Sequence, residues 1–290
     1  MNYCGTDYCS SLADATFVVV PVPYDLTSTY QSGSRRGPGA ILDASANMEL
    51  YDEELRQETY LLAGIHTLSP LAADARGPAE MVASARERIG HVLGQGKIPV
   101  MLGGEHSISL GAVQAMKQRY PGLSVLQFDA HADLRDSYQG SPYSHAAVAR
   151  RIAEICPLTQ VGIRSMSAEE ADFMAAGTVQ TLSIDLIHAE QGWQEKALEY
   201  LSGDVYVTID LDVFDPAIMP STGTPEPDGL AWRDVLGLLR ELSRRRRIRG
   251  FDVVELAPIP GLVAPDFLAA KLIYRLMGYL TPEITIKESK

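Results

Sequence analysis

The sequence predicts an α/β fold, a mostly parallel sheet covered by helices on both faces. Two observations carry this expectation. Short, near-continuous apolar runs rich in β-branched residues recur along the chain, and most are separated by helix-length segments. The 290 residues, 46% of them hydrophobic, suffice for one large core but not by default for two. A single domain is therefore expected over residues 1–290, with residues 1–15 as a loose N-terminal arm.

The elements follow in order. Ala15 to Val22 reads as the first strand. Ser34 to Met48 reads as a helix entered through Gly37-Pro38, since proline suits a helix start. Tyr60 to Leu68 is expected as a strand, and Pro78 to Gln95 as a helix closed by Gly94-Gln95-Gly96. Lys97 to Leu102 is a buried-type strand, followed by Gly103-Gly104 and a helix from Ile108 to Arg119. Further strands are expected at Leu123–Phe128, Leu158–Ile163, Thr178–Ile184, Val205–Ile209 and Ile248–Val254. A last helix spans Phe267 to Leu280, with Asp266 as its N-cap.

Composition narrows the function. The net charge of −12 and pI of 4.9 argue against nucleic acid or an anionic membrane as partner, and suit a cationic small molecule. The run Arg244–Arg247 closes a helical segment, where cations complement the helix dipole, so it reads as a solvated face or an interface patch. Cys4, Cys9 and Cys156 are too few and too odd for a disulfide framework and read as reduced thiols. No basic segment followed by an apolar one opens the chain, so the cytoplasm is the expected location.

The chemistry sits at strand ends. Three polar clusters directly follow apolar strands: Gly103 to Ser107 with His106, Asp129-Ala130-His131-Ala132-Asp133, and Asp210-Leu211-Asp212. In an extended chain alternate side chains share a side, so Asp129, His131 and Asp133 converge, as do Asp210 and Asp212. The C-terminal strand ends of a parallel sheet share one edge, where α/β sheets bind ligands. Four crowded carboxylates there need a compensating cation. Oxygen donors with imidazole and no thiolate favour Mn²⁺, with Fe²⁺, Co²⁺, Ni²⁺ or Zn²⁺ as alternatives, and a two-ion site can hold a hydroxide between the metals. His66 and His188 stand alone and read as ordinary histidines.

GGEHS, FDAHADLRD, TIDLDVFDP with STGTPEP, and FDVVELAP, in this order, resemble the signatures of the arginase and agmatinase (ureohydrolase) superfamily, from about Val18 to the last helix. The resemblance is greatest to agmatinases. It implies a three-layer α/β/α sandwich with a mainly parallel sheet of about eight strands, two Mn²⁺ ions per subunit, and a homotrimer or homohexamer. It implies one metal on His106, Asp129, Asp133 and Asp210, and the other on Asp129, His131, Asp210 and Asp212. Glu255 is implied to pair with the substrate guanidinium, Asp133 to pass a proton to the leaving amine, and His145 to shuttle protons. Thr224 and Glu226 are candidates for the far end of the substrate.

Agmatine, hydrolysed to putrescine and urea, is the first substrate expected. Arg135 stands where arginase-type enzymes place an asparagine, which disfavours arginine and leaves room for an anionic tail if its side chain faces the site. Pro227-Asp228-Gly229 and Ala146-Ala147 depart from the agmatinase pattern in loops near the mouth. Aminopropylagmatine, guanidinobutyrate, guanidine and formimino compounds are the other candidates. Two further readings are a non-catalytic metal-binding regulator, which the complete ligand set disfavours, and a one-zinc deacetylase of related fold, which the number of aspartates disfavours.

Overall fold

The computed structural model describes the backbone of residues 1–288 and the side chains of residues 1–281. Its centre is an eight-stranded sheet in which every strand pair is parallel. In chain order its strands are β1 (Phe17–Val22), β4 (Ile65–Thr67), β5 (Ile98–Gly103), β6 (Ser124–Phe128), β7 (Leu158–Ile163), β8 (Gln180–Ser183), β9 (Asp204–Asp210) and β10 (Arg247–Val254). β2 (Tyr51–Asp52) and β3 (Gln57–Glu58) form a separate small antiparallel pair. Across the sheet the order is β4-β1-β5-β10-β9-β6-β7-β8.

Strands buried on both faces explain the unbroken apolar runs. In β1, Phe17 and Val19 face one core and Val18, Val20 and Val22 the other. The first core is closed by α1 (Gly37–Ser45), α8 (Trp193–Glu199), α9 (Trp232–Arg245) and α10 (Ala264–Glu288). The second is closed by α3 (Pro78–Gly94), α4 (Ser109–Arg119) and α5 (Val148–Ala153). The short helices α2 (Thr59–Ala63), α6 (Ala168–Ala175) and α7 (Ile184–Ala189) complete the chain. The result is the expected three-layer α/β/α sandwich. No helix among the described residues is long and apolar enough to cross a membrane.

Four expectations need correction. Residues 1–15 are not loose. The Tyr3 ring is fully buried, its hydroxyl donates to Ala270 O at 2.5 Å, and its N–H donates to Thr67 Oγ1 at 2.9 Å. One aromatic in a polar stretch has no periodicity, so its anchoring has no signature in sequence. The expected strand Tyr60–Leu68 begins as α2, turns at Gly64 (φ 65°), and only Ile65–Thr67 joins the sheet. The expected strand Thr178–Ile184 is confined to Gln180–Ser183, because the Ser183 hydroxyl accepts from Leu186 N and starts α7. Asp266 lies inside the first turn of α10, not at its N-cap.

Gly104, directly after β5, has no room for a side chain. A Cβ there would lie 1.8 Å from the Tyr24 carbonyl oxygen, and Glu105 N donates to that same oxygen at 2.7 Å. Gly104→Ala must therefore displace the Tyr24–Thr27 segment. We expect a loss of about 3 kcal/mol of stability, read from the shift in denaturant midpoint.

Candidate metal centre

The four central strands, in the order β5-β10-β9-β6, all deliver polar residues at their C-terminal ends. His106 follows β5, Glu255 follows β10, Asp210 ends β9 with Asp212 just beyond, and Asp129, His131 and Asp133 follow β6. Strands far apart in sequence are thus made neighbours at one sheet edge.

The six ligand candidates meet there. His106 Nδ1 lies 3.1 Å from Asp129 Oδ2 and 3.4 Å from both Asp133 Oδ2 and Asp210 Oδ2. His131 Nδ1 lies 2.9 Å from Asp212 Oδ2 and 3.7 Å from Asp129 Oδ1. Asp129 therefore turns one oxygen toward each histidine. Two groups of side chains could each hold a metal ion among the described residues, His106 with Asp129 and Asp210, and Asp129 with His131 and Asp212. The convergence is not that of a plain extended strand. Regular pairing stops at Phe128, and Asp133 sits in the left-handed region at φ 52°. Glu255 does the same at φ 64°. Non-glycine residues held there are costly, and such conformations cluster at functional sites.

Hydrogen-bond accounting at His106 shows that a cation fits. The Thr208 hydroxyl donates to Asp252 Oδ1 at 2.6 Å, so its contact with His106 Nε2 at 2.9 Å must be received from Nε2–H. In the neutral ring that leaves Nδ1 as a lone pair, buried and facing three carboxylate oxygens, a position that a proton or a metal ion must fill. The charges call for the same thing. Burial opposes a proton on His106, but Asp129, Asp133 and Asp210 outweigh it and hold its pKa well above the ordinary histidine range. Burial, then the Asp129 charge, pushes Asp133 up to about 7. Burial, then Asp212 and Asp129, raises Asp210 far above the carboxylate range. A divalent cation at this point would relieve all three.

Other residues hold the candidate ligands in place, and spacing gave no sign of them. Gln127 Nε2 donates to Asp129 Oδ2 at 2.8 Å, and Gln160 Nε2 donates to Gln127 Oε1 at 3.0 Å and to Ala132 O at 2.7 Å. Glu170 accepts from Leu134 N and closes a capping box with Ser167 on α6. Arg164 binds a fan of carbonyls: Asp212 O at 2.7 Å, Pro227 O at 2.8 Å and Glu226 O at 2.9 Å. It ties the Asp212 ligand loop to the Glu226 loop. Arg164→Ala leaves those carbonyls without a donor. We expect it to cost about 3 kcal/mol in thermal unfolding and to raise KM.

A cavity of about 220 Å³ opens above the cluster, and His131, Asp133, Asp210 and Asp212 form its floor. Glu255, His145 and Thr224 line it. Glu226 stands beside it, Oε1 3.7 Å from His131 Nε2. Arg135 also lines the cavity, but its guanidinium is engaged by Tyr138 at 5.0 Å and Glu170 at 3.9 Å. The arginine run is likewise spoken for. Arg244 pairs with Glu241, Arg245 with Glu195 and Arg247 with Asp204, while Arg246 donates to Leu198 O and Leu201 O. His66 is bonded to Ser10 O and His188 is exposed, so neither joins the centre. All three cysteines are free, Cys4 and Cys156 buried and Cys9 exposed.

The comparison with known proteins agrees with this geometry. The chain is 40% identical over 277 residues to the N(1)-aminopropylagmatine ureohydrolase of Synechocystis sp., covering 93% of this chain and 90% of that protein. It is 34% identical to the agmatinase of Pyrococcus horikoshii, over 92% of this chain and 93% of the relative. The crystal structure of the agmatine ureohydrolase of Thermoplasma volcanium superposes with a TM-score of 0.87 at 34% identity, covering 97% of this chain and 94% of that one. The model of the Arginase family matches residues 15–278, and the chain belongs to that family and is a ureohydrolase.

Proposed function

We propose that this enzyme removes the guanidino end of N1-aminopropylagmatine as urea, leaving the parent triamine, with two Mn²⁺ ions held by the strand-end cluster. The observation that carries the reaction is the convergence of two histidines and four aspartates beneath a cavity lined by Glu255. The substrate rests on the relatives, since those 39–40% identical carry that substrate's name in three kinds of organism while the agmatinases stand at 34% or below. Agmatine, giving putrescine and urea, is the second reading, favoured by the likeness to the Thermoplasma structure.

His106, Asp129, Asp133 and Asp210 would hold one ion, and Asp129, His131, Asp210 and Asp212 the other. When bound, the pair supplies Lewis-acid activation of a water at neutral pH. The chain's own residues do the rest. One oxygen of Glu255 accepts from His106 N at 2.7 Å, which leaves the other to accept from the guanidinium fork and aim its carbon at the floor. Water contributes the oxygen of urea, and the carbon–nitrogen bond to the amine breaks. Asp133, which lines the cavity floor, carries a proton to the departing nitrogen. His145 exchanges protons between the cavity and solvent. Glu226 receives the cationic tail at the mouth.

The test is kcat/KM for urea release from the two amines. A preference of about tenfold or more for aminopropylagmatine is expected, one well-placed contact to the extra ammonium, and Glu226→Gln should narrow it. A tenfold preference for agmatine would move the assignment to the second reading.

A further inference from the structure

The hydroxyl of Thr27 is the centre of a closed hydrogen-bond count. It donates to Glu105 Oε1 at 2.7 Å, while Thr27 N donates to Glu105 Oε2 at 2.6 Å. The Ser107 hydroxyl donates to Glu105 Oε1 at 2.5 Å, so this buried carboxylate is ringed by donors and serves as an acceptor. A threonine hydroxyl has one proton and two lone pairs. Its proton is committed to Glu105. One lone pair accepts from His145 N at 3.1 Å. The other meets His145 Nδ1 at 3.2 Å, a contact that closes only if Nδ1 carries the hydrogen.

We propose that Thr27, held by Glu105, is a positioning residue that fixes His145 in its Nδ1–H tautomer and so leaves Nε2 as the acceptor facing the cavity. The inference rests on the proton-carrying role given to His145 above. Free histidine prefers the opposite tautomer in water, so the protein must select this one. Burial, and then the facing His131 and His106, pushes His145 down to about 4, which keeps the ring neutral between transfers. A proton taken up at Nε2 can be returned from Nε2, and the Thr27 bond persists throughout. The ring is also packed edge-on against Tyr138, with centroids 6.0 Å apart, so that it does not turn freely. Ser144 Oγ, at 3.4 Å from Nδ1, is the competing partner.

The test is the ¹⁵N spectrum of histidine-labelled, zinc-loaded enzyme, with the His145 signals assigned through His145→Asn. Wild type and Thr27→Ser should show a pyrrole-type Nδ1 and a pyridine-type Nε2. Thr27→Val, which keeps the shape and removes the hydroxyl, should lose that pattern. Its kcat should fall by about tenfold to a hundredfold with KM within about twofold. Ser144→Ala should leave the tautomer in place. A wild-type ring protonated on Nε2, an unchanged tautomer in Thr27→Val, or a switch caused by Ser144→Ala would overturn the proposal. If Thr27→Val does not fold, the wild-type and Thr27→Ser spectra decide. Full turnover in His145→Asn would sink the proton-carrier role and leave the tautomer assignment standing.

Discussion

Asp129→Asn is expected to cut urea release by at least about a thousandfold, roughly 4 kcal/mol of barrier, and to abolish tight metal retention. Asp129 is fully buried and, among the described residues, is the one carboxylate with an oxygen toward each histidine, so both halves of the proposed centre would lose a ligand at once. The response to metal distinguishes this from simple damage. Without metal, burial opposes the Asp129 charge, but His106 and His131 outweigh it and hold its carboxyl below the ordinary carboxylate range, so the variant loses a net favourable charge. The metal-free Tm should therefore fall, although an amide can still accept from His131 N as Asp129 does at 2.7 Å. Added Mn²⁺ should raise the wild-type Tm, by about 2.7 kcal/mol of linkage at a hundredfold excess over Kd, and leave the variant unmoved. A variant that keeps its metal and its turnover would remove Asp129 from the centre.

Glu255→Gln is expected to lower kcat/KM by about a hundredfold, near 2.7 kcal/mol, with metal content unchanged. The carboxylate presents only acceptors to the guanidinium fork, whereas the amide must turn a donor toward it. Without metal, burial and then the charge of Glu105 push Glu255 up to about 8. The bond to His106 N can be kept in the variant, so His106 should stay in place. The loss belongs to the contact with the guanidinium. Steady-state kinetics with metal counting checks this, and wild-type kcat/KM in the variant would take Glu255 out of substrate binding.

What the sequence reveals and what it hides divide along physical lines. β1, β5, β6 and β9 announce themselves because burial on both faces forces unbroken apolar runs. The candidate ligands stand out because D-x-H-x-D and D-x-D at strand ends have few other uses. The residues that hold them do not. Gln127 looks like any polar residue in a strand, Thr27 like any loop threonine, and Arg164 like a solvated charge. Their roles exist only once β6, β7 and β9 lie side by side and the loops after β1 and β5 meet. Arg135 shows the same limit. Its position was legible, but its engagement by Glu170 and Tyr138 depends on α6 and the following loop. Tyr3 was hidden because its partners lie on β4 and at Ala270, far along the chain.

The strand-end cluster is proposed as a two-metal centre for hydrolysing a guanidino amine. The most direct measurement counts metal and urea together: the enzyme is stripped by chelator, reloaded stepwise with Mn²⁺, and assayed on aminopropylagmatine at each step. Stripped protein is expected to release no urea, and activity to climb to its full value as occupancy approaches two ions per subunit. Full urea release from metal-free protein, or two bound ions with no urea from aminopropylagmatine or agmatine, would contradict it.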